Sequence, residues 1–294
     1  MKNNSPKECA VTRVSDFRVR LPNSLRPRIE SPPELREQYD NVLDISAKID
    51  QTLEDLIAQM DATGVEHAVM HAEYEHGDIA DALNESLAGV VTDHPDRFTG
   101  IGTITTAPMH IMRAVKQVQQ CKDYGFIGIC VESSFYRLGI NDKALYPIYA
   151  KAAELNLMVA VHTGVNYGVT HPIRNDHPLQ LDDVCCDFPE LTMIACHAGW
   201  PWATEMVAVA RKHPNVYLEF GGLAPRYVGE AGTGWEVVRR FMNNLLKRQV
   251  LFGTDWPVIA LERALDEWRA MGLKDDVLDG LLGGNAQRLI DLHK

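Results

Sequence analysis

The chain lacks an apolar run approaching the ~20 residues that a membrane-spanning helix requires. Its first ten residues are polar and carry no apolar stretch of the secretory type, so the expected location is cytoplasmic. Excess basic charge is also missing. The formal net charge is −11 and the isoelectric point is near 5.4, which argues against a general nucleic-acid binder. There is no Cys-x-x-Cys pair among the six cysteines. Cys9, Cys121, Cys130, Cys185, Cys186 and Cys196 therefore read as reduced thiols, several of them inside apolar runs. No glycine-rich phosphate turn follows the first predicted strand, which disfavours an open dinucleotide-binding sheet.

What is present is a long alternation of strands and helices. With 294 residues, 46% of them apolar and 23% charged, the chain can build a large core. Val11 to Val19 reads as a first strand, followed by a proline-marked stretch from Leu21 to about Ser46. That stretch is too long for a connector and is expected to form a lid or rim loop. Thr52 begins a helix whose apolar positions Leu53, Leu56, Ile57 and Met60 share a face, and Gly64 ends it. Strand and helix then alternate, at intervals of roughly 30 residues per unit. Gly283-Gly284 is expected to break the last two helices. Strand–helix alternation of this kind demands parallel strands with right-handed crossovers, and eight such units close most naturally into a single (β/α)8 TIM barrel spanning residues 1–294.

Three apolar strands end in a polar residue followed by a turn. Leu157–Val161 delivers His162, Thr192–Cys196 delivers His197, and Val250–Phe252 leads through Gly253-Thr254 to Asp255-Trp256-Pro257. Residues just past the C-terminal ends of barrel strands face the active-site mouth. His, His and Asp together suit a divalent metal, and each can also move protons. Glu132 and His71 close two further strands and are candidates for substrate contact. Trp200, in Trp200-Pro201-Trp202 after His197, could wall an aromatic pocket. His171, Arg174 and His177 lie in the loop after the His162 strand, where substrates are also met. His67, His76, His110, His213 and His293 read as ordinary helix or surface histidines.

At these residues the chain resembles the amidohydrolase-related family, in particular the branch of aminocarboxymuconate semialdehyde and resorcylate-type decarboxylases. The matching stretches are Asn84 with His94-Pro95-Asp96-Arg97-Phe98, Val161-His162-Thr163-Gly164, Phe188-Pro189-Glu190-Leu191, His197-Ala198-Gly199, Phe252–Pro257 and Gly284-Asn285-Ala286. They run from about residue 50 to the end. The resemblance implies a (β/α)8 barrel, His162 and Asp255 as metal ligands, and His197 as either a catalytic histidine near the metal or one that supports its ligands.

The first strand departs from the family pattern. Where the family carries His-x-His or Glu-x-His, this chain reads Asp16-Phe17-Arg18-Val19-Arg20. A guanidinium stays protonated and offers no lone pair to a metal. Two outcomes stay open. Asp16, His162 and Asp255 could still hold a zinc-type ion, or Arg18 and Arg20 could supply the positive charge themselves and bind a substrate carboxylate. The expected activity is hydrolysis of a small, cyclic or aromatic, carboxylate-bearing substrate, with Asp255, His197 and His162 as the catalytic residues. Non-oxidative decarboxylation of an aromatic or muconate-like acid is the alternative, and a non-catalytic acid-binding barrel a further one. The expected partner is that small acid, with neither nucleic acid nor membrane involved and homo-oligomer formation left open.

Overall fold

The computed structural model describes residues 13–22, 33–74 and 77–294. Eight parallel strands pair in sequence order: β1 (Ser15–Arg20), β2 (His67–His71), β3 (Phe98–Thr103), β4 (Gly128–Val131), β5 (Met158–His162), β6 (Met193–Cys196), β7 (Val216–Glu219) and β8 (Val250–Leu251). The chain just past β8 returns to β1. The Phe17 amide donates to the Phe252 carbonyl at 2.7 Å, and the Asp255 amide donates to the Arg18 carbonyl at 2.8 Å. The result is a single TIM barrel, as the strand–helix alternation requires.

Local chemistry explains most boundaries. Thr52 caps the helix Leu53–Thr63 in a reciprocal box with Asp55, and Gly64 closes it in the left-handed conformation at φ 76°. The proline-marked stretch after β1 contains a helix, Pro33–Leu43. Proline at a first helical turn gives up an amide that would have had no partner, so this proline starts a helix. Residues 23–32 of the expected lid lie outside the described residues, as does His76.

The end of the chain differs from expectation. Gly283-Gly284 does not break the last helices. Residues Gly280–Gly284 form a π-helical turn that runs directly into the helix Asn285–His293. The reason is a close approach: a side chain at Gly283 would collide with the Arg13 carbonyl at the base of the first strand. Glycine is there for contact, not for a stop.

The barrel interior has two halves. The lower half is apolar, with Phe17, Val69, Ile101, Ile127, Met158 and Ile194 packed together and plugged from below by Ala286, Leu289 and Ile290 of the last helix. The upper half is charged. The strand register explains how β1 serves both. Between Asp16 and Val19 the β1–β2 pairing shifts, placing an extra residue in β1. Such a bulge interrupts the in–out alternation. Phe17 joins the lower core, Arg18 reaches the charged half above it, and Asp16 is carried away from both.

Candidate active site

Arg18 is the centre of the upper half and is fully buried. Its guanidinium meets carboxylates from four other strand ends: Glu73 at 2.5 Å, Asp255 at 3.3 Å, Glu132 at 3.6 Å and Glu219 at 4.0 Å. Arg20 lies one step closer to the mouth. Its Nε is 2.7 Å from Asp255 Oδ1 and 3.1 Å from Glu73 Oε1. Burial sets the charge of this cluster. It pushes the Glu73 and Glu219 carboxyls up to about 8 despite the nearby Arg18. Burial opposes the charge on Asp255 as well, but Arg20 and Arg18 together outweigh it and hold that carboxyl well below the usual range. Asp255 is thus a fixed anion on a paired cation, whereas Glu219, 4.0 Å from Arg18, is the carboxyl that burial favours in its protonated form.

Above this floor a pocket is lined by Arg20, His162, Asn166, His197, Trp200 and Asp255, with Tyr39, Leu43, Phe135 and Tyr167 among its apolar and aromatic walls. The two histidine rings are neighbours, with centroids 4.8 Å apart and planes tilted by 60°. His162 Nδ1 donates to Asp176 Oδ1 at 2.8 Å, and the Asn166 side-chain amide donates to the other oxygen of Asp176 at 2.7 Å. His197 Nδ1 donates to the Gly221 carbonyl at 2.6 Å. A carbonyl only accepts, so the proton of neutral His197 sits on Nδ1 and its Nε2 carries the lone pair. Their protonation tendencies diverge. Burial lowers both, but the Asp176 carboxylate overrides it at His162 and leaves that histidine raised. At His197, burial, Arg18 and His162 act together and hold it well below its ordinary value.

The backbone is held in an unusual conformation at these residues. His197, Ala198 and Asp255 are left-handed at φ 64°, 48° and 55°. Non-glycine residues adopt this region at a cost of order 1 kcal/mol or more each, and such residues cluster at functional sites. Gly222 makes room for the arrangement, since a Cβ there would lie 3.0 Å from His197 Nδ1 and 3.2 Å from Asp255 Oδ2.

The structure places His162, His197, Asp255, Arg20 and Trp200 around one pocket at the barrel mouth. Several other expectations need correction. Asp16 presents no ligand atom to the pocket: its oxygens accept from the Thr254 hydroxyl at 2.6 Å, the Thr254 amide at 3.1 Å and the Arg18 amide at 3.0 Å. The β1 bulge is the cause. Arg18 and Glu132 are buried, lie 3.6 Å apart and are not among the residues that line the pocket. His71 is sealed as well, with Nε2 held 3.0 Å from the Phe17 carbonyl. His171, Arg174 and His177 are not among the pocket residues, and His177 instead packs at a tilt against Trp202 with centroids 4.8 Å apart. The residue of that loop that reaches the site is Asp176, through His162. Glu73 and Glu219 join the cluster through Arg18.

A parallel eight-stranded barrel carrying His, His and Asp at its strand ends belongs to the class of barrel enzymes whose chemistry sits at the C-terminal mouth. More narrowly, the chain belongs to the amidohydrolase family, whose model matches residues 24–292. The 2-amino-3-carboxymuconate-6-semialdehyde decarboxylase of Dictyostelium discoideum is 23% identical over 244 residues, spanning 73% of this chain and 67% of that protein. An uncharacterised TIM-barrel protein from Bordetella bronchiseptica is similar in structure at a TM-score of 0.79 with 28% identity, covering 95% of this chain and 99% of that one. The dihydroxybenzoic acid decarboxylase of Polaromonas sp. JS666, solved with bound manganese and 2-nitroresorcinol, shares the fold at a TM-score of 0.71 with 17% identity, over 96% of this chain and 98% of that one.

Proposed function

We propose that this protein is a non-oxidative carboxy-lyase acting on an aromatic or muconate-like acid, and that it works without a metal ion. The observation that carries the reading is the neighbouring histidine pair, with one ring backed by a buried carboxylate and the other by a carbonyl. Decarboxylation needs a proton donor aimed at carbon. His162, whose hold on a proton is strengthened by Asp176, supplies one. The substrate carboxylate enters beside Arg20 and loses its water against Phe135 and Trp200. His162 Nε2 gives its proton to the carbon bearing the carboxylate. The carbon–carboxylate bond then breaks, its electron pair returns to the substrate π-system, and CO2 leaves. Water restores the proton on His162. Decarboxylases among the relatives support this branch over hydrolysis.

Hydrolysis of a cyclic ester or amide is the second reading. One observation favours it: His197 is held neutral with its Nε2 lone pair toward the pocket, as a base for water must be.

Manganese in a relative raises the question of whether a divalent ion fits here. The donor set argues against it. The first strand contributes two guanidiniums, Asp16 is committed to Thr254, and both Arg18 and Arg20 reach Asp255 Oδ1. An ion on Asp255 would lie a few ångströms from both cations. At an effective dielectric near 20 that repulsion is on the order of 8 kcal/mol per guanidinium for a divalent charge at ~4 Å. No step is therefore assigned to a metal, and Arg18 is the permanent cation that holds Asp255 in place.

The test is turnover of hydroxybenzoates, muconate-like acids and lactones by chelator-treated protein, following CO2 release and acid release separately. CO2 release that disappears in His162→Asn supports the lyase. Acid release from a lactone with no CO2 from any acid would move the assignment to hydrolysis.

A further inference from the structure

The pocket has two compartments of unequal size. The inner chamber, at His162, His197 and Asp255, measures about 60 Å³. On the same measure a water needs about 10–15 Å³, so the chamber takes a carboxylate and the carbon next to it, with little left for a ring. It shares Leu43, Tyr167, Trp200, Gly222 and Leu223 with an outer vestibule of about 640 Å³. Trp200, Trp235, Tyr167 and Tyr227 give that vestibule aromatic walls, and Val42, Leu223 and Ile259 add aliphatic ones. Its charged lining residues are Arg226 and Arg263, and among the described residues no carboxylate lines it. That is notable in a chain with a net charge of −11.

The two arginines are held in place. The Arg226 guanidinium lies 5.1 Å from the centroid of the Tyr227 ring. Arg263 Nε donates to Glu267 Oε1 at 2.8 Å, and Glu267 Oε2 accepts from the Arg226 amide at 3.0 Å. One carboxylate outside the cavity thus ties the two cationic positions together.

We infer that the vestibule is a second anion subsite, and that the substrate is an extended aromatic dianion. One carboxylate sits in the inner chamber, the flat body lies against Trp200 and Tyr167, and a second acidic group lies at Arg226 and Arg263. Flat π-systems match the aromatic walls, and guanidiniums are suited to carboxylates and phosphates. This inference rests on the proposed reading of the inner chamber as the seat of the reacting carboxylate.

The experiment is calorimetric binding of four probes: benzoate, benzene-1,4-dicarboxylate, biphenyl-4-carboxylate and biphenyl-4,4'-dicarboxylate. Wild type is compared with Arg226→Gln/Arg263→Gln and with His162→Asn. In wild type the biphenyl diacid should bind at least tenfold more tightly than the biphenyl monoacid, and the double variant should lose that advantage. A diacid that binds no better than its monoacid, or an advantage that survives in the double variant, overturns the subsite. The His162→Asn protein separates the two proposals. If it binds all four probes as wild type does while the diacid advantage persists, the inner-chamber reading fails and the vestibule stands.

Discussion

The two halves of the barrel interior solve the same packing problem in opposite ways. Below, Phe17, Ile194, Met158 and their neighbours fill the space with apolar side chains that need no partners. Above, Arg18 fills a comparable space with a charge that is met by four carboxyl groups from β-strand ends around it. Apolar filling is cheap to build and tolerant of small change, because its worth scales with area. A buried ion cluster gains little net stability over hydrophobic packing, yet breaking it by removing one partner is severe. The upper half therefore reads as a region kept for what its charge does. It holds Asp255 as an anion and keeps His197 neutral in the same pocket where Asp176 raises His162.

That contrast is sharpest at Arg18. Arg18→Met should cost about 3–5 kcal/mol in urea unfolding, since the carboxylates lose their shared cation. Arg18→Lys, with charge but no fork to span four partners, should fall between the two. A loss below about 1 kcal/mol for Arg18→Met would make the upper half ordinary packing.

Next in size is Asp176→Asn. The fold should survive, CO2 release should drop by about 10²-fold, and the His162 midpoint followed by NMR should fall. The sign follows from linkage. Asp176 raises His162 in the folded protein, so the stabilisation is fully present at low pH and fades as pH rises through that raised value. The variant should accordingly be destabilised more at pH 5 than at pH 9, and its activity should decline at a lower pH than wild type. An unmoved midpoint would remove Asp176 from the mechanism.

The smallest effects compare the halves directly. Ile194→Val in the lower half should cost about 1 kcal/mol at every pH, as a buried methylene does. Glu219→Gln in the upper half should cost under about 1 kcal/mol at pH 7, because burial already keeps that carboxyl protonated, with its pKa at about 8. A carboxyl raised in the folded state binds more protons than in the unfolded chain between about 4.5 and 8, so stability falls with rising pH across that window. Glu219→Gln should flatten part of this slope and Ile194→Val should leave it alone. Urea midpoints from pH 4.5 to 8.5 read both.

The barrel and its mouth were legible wherever the signal was local. An apolar run ending in a polar residue and a turn marked His162, His197 and Asp255, and Thr52 with Gly64 marked a helix. What was not legible depended on distance or on register. Asp176 reaches His162 across a loop whose flanking histidines are more conspicuous in the sequence. Glu219 sits inside what reads as an apolar strand end and gains meaning only beside Arg18. Asp16 stands where the family pattern has a first-strand ligand, and one extra residue in β1 turns it away from the pocket. Arg18 itself was visible as a departure from the family pattern, but nothing local showed that it would be sealed below the pocket.

The central claim is that guanidinium, not a metal, supplies the cation of this site. The direct measurement is titration of chelator-treated protein with manganese, read by electron paramagnetic resonance of the free ion, for wild type and for His162→Ala. The account predicts no site tighter than about millimolar in either protein. One equivalent bound at micromolar affinity in wild type and lost in His162→Ala would contradict it.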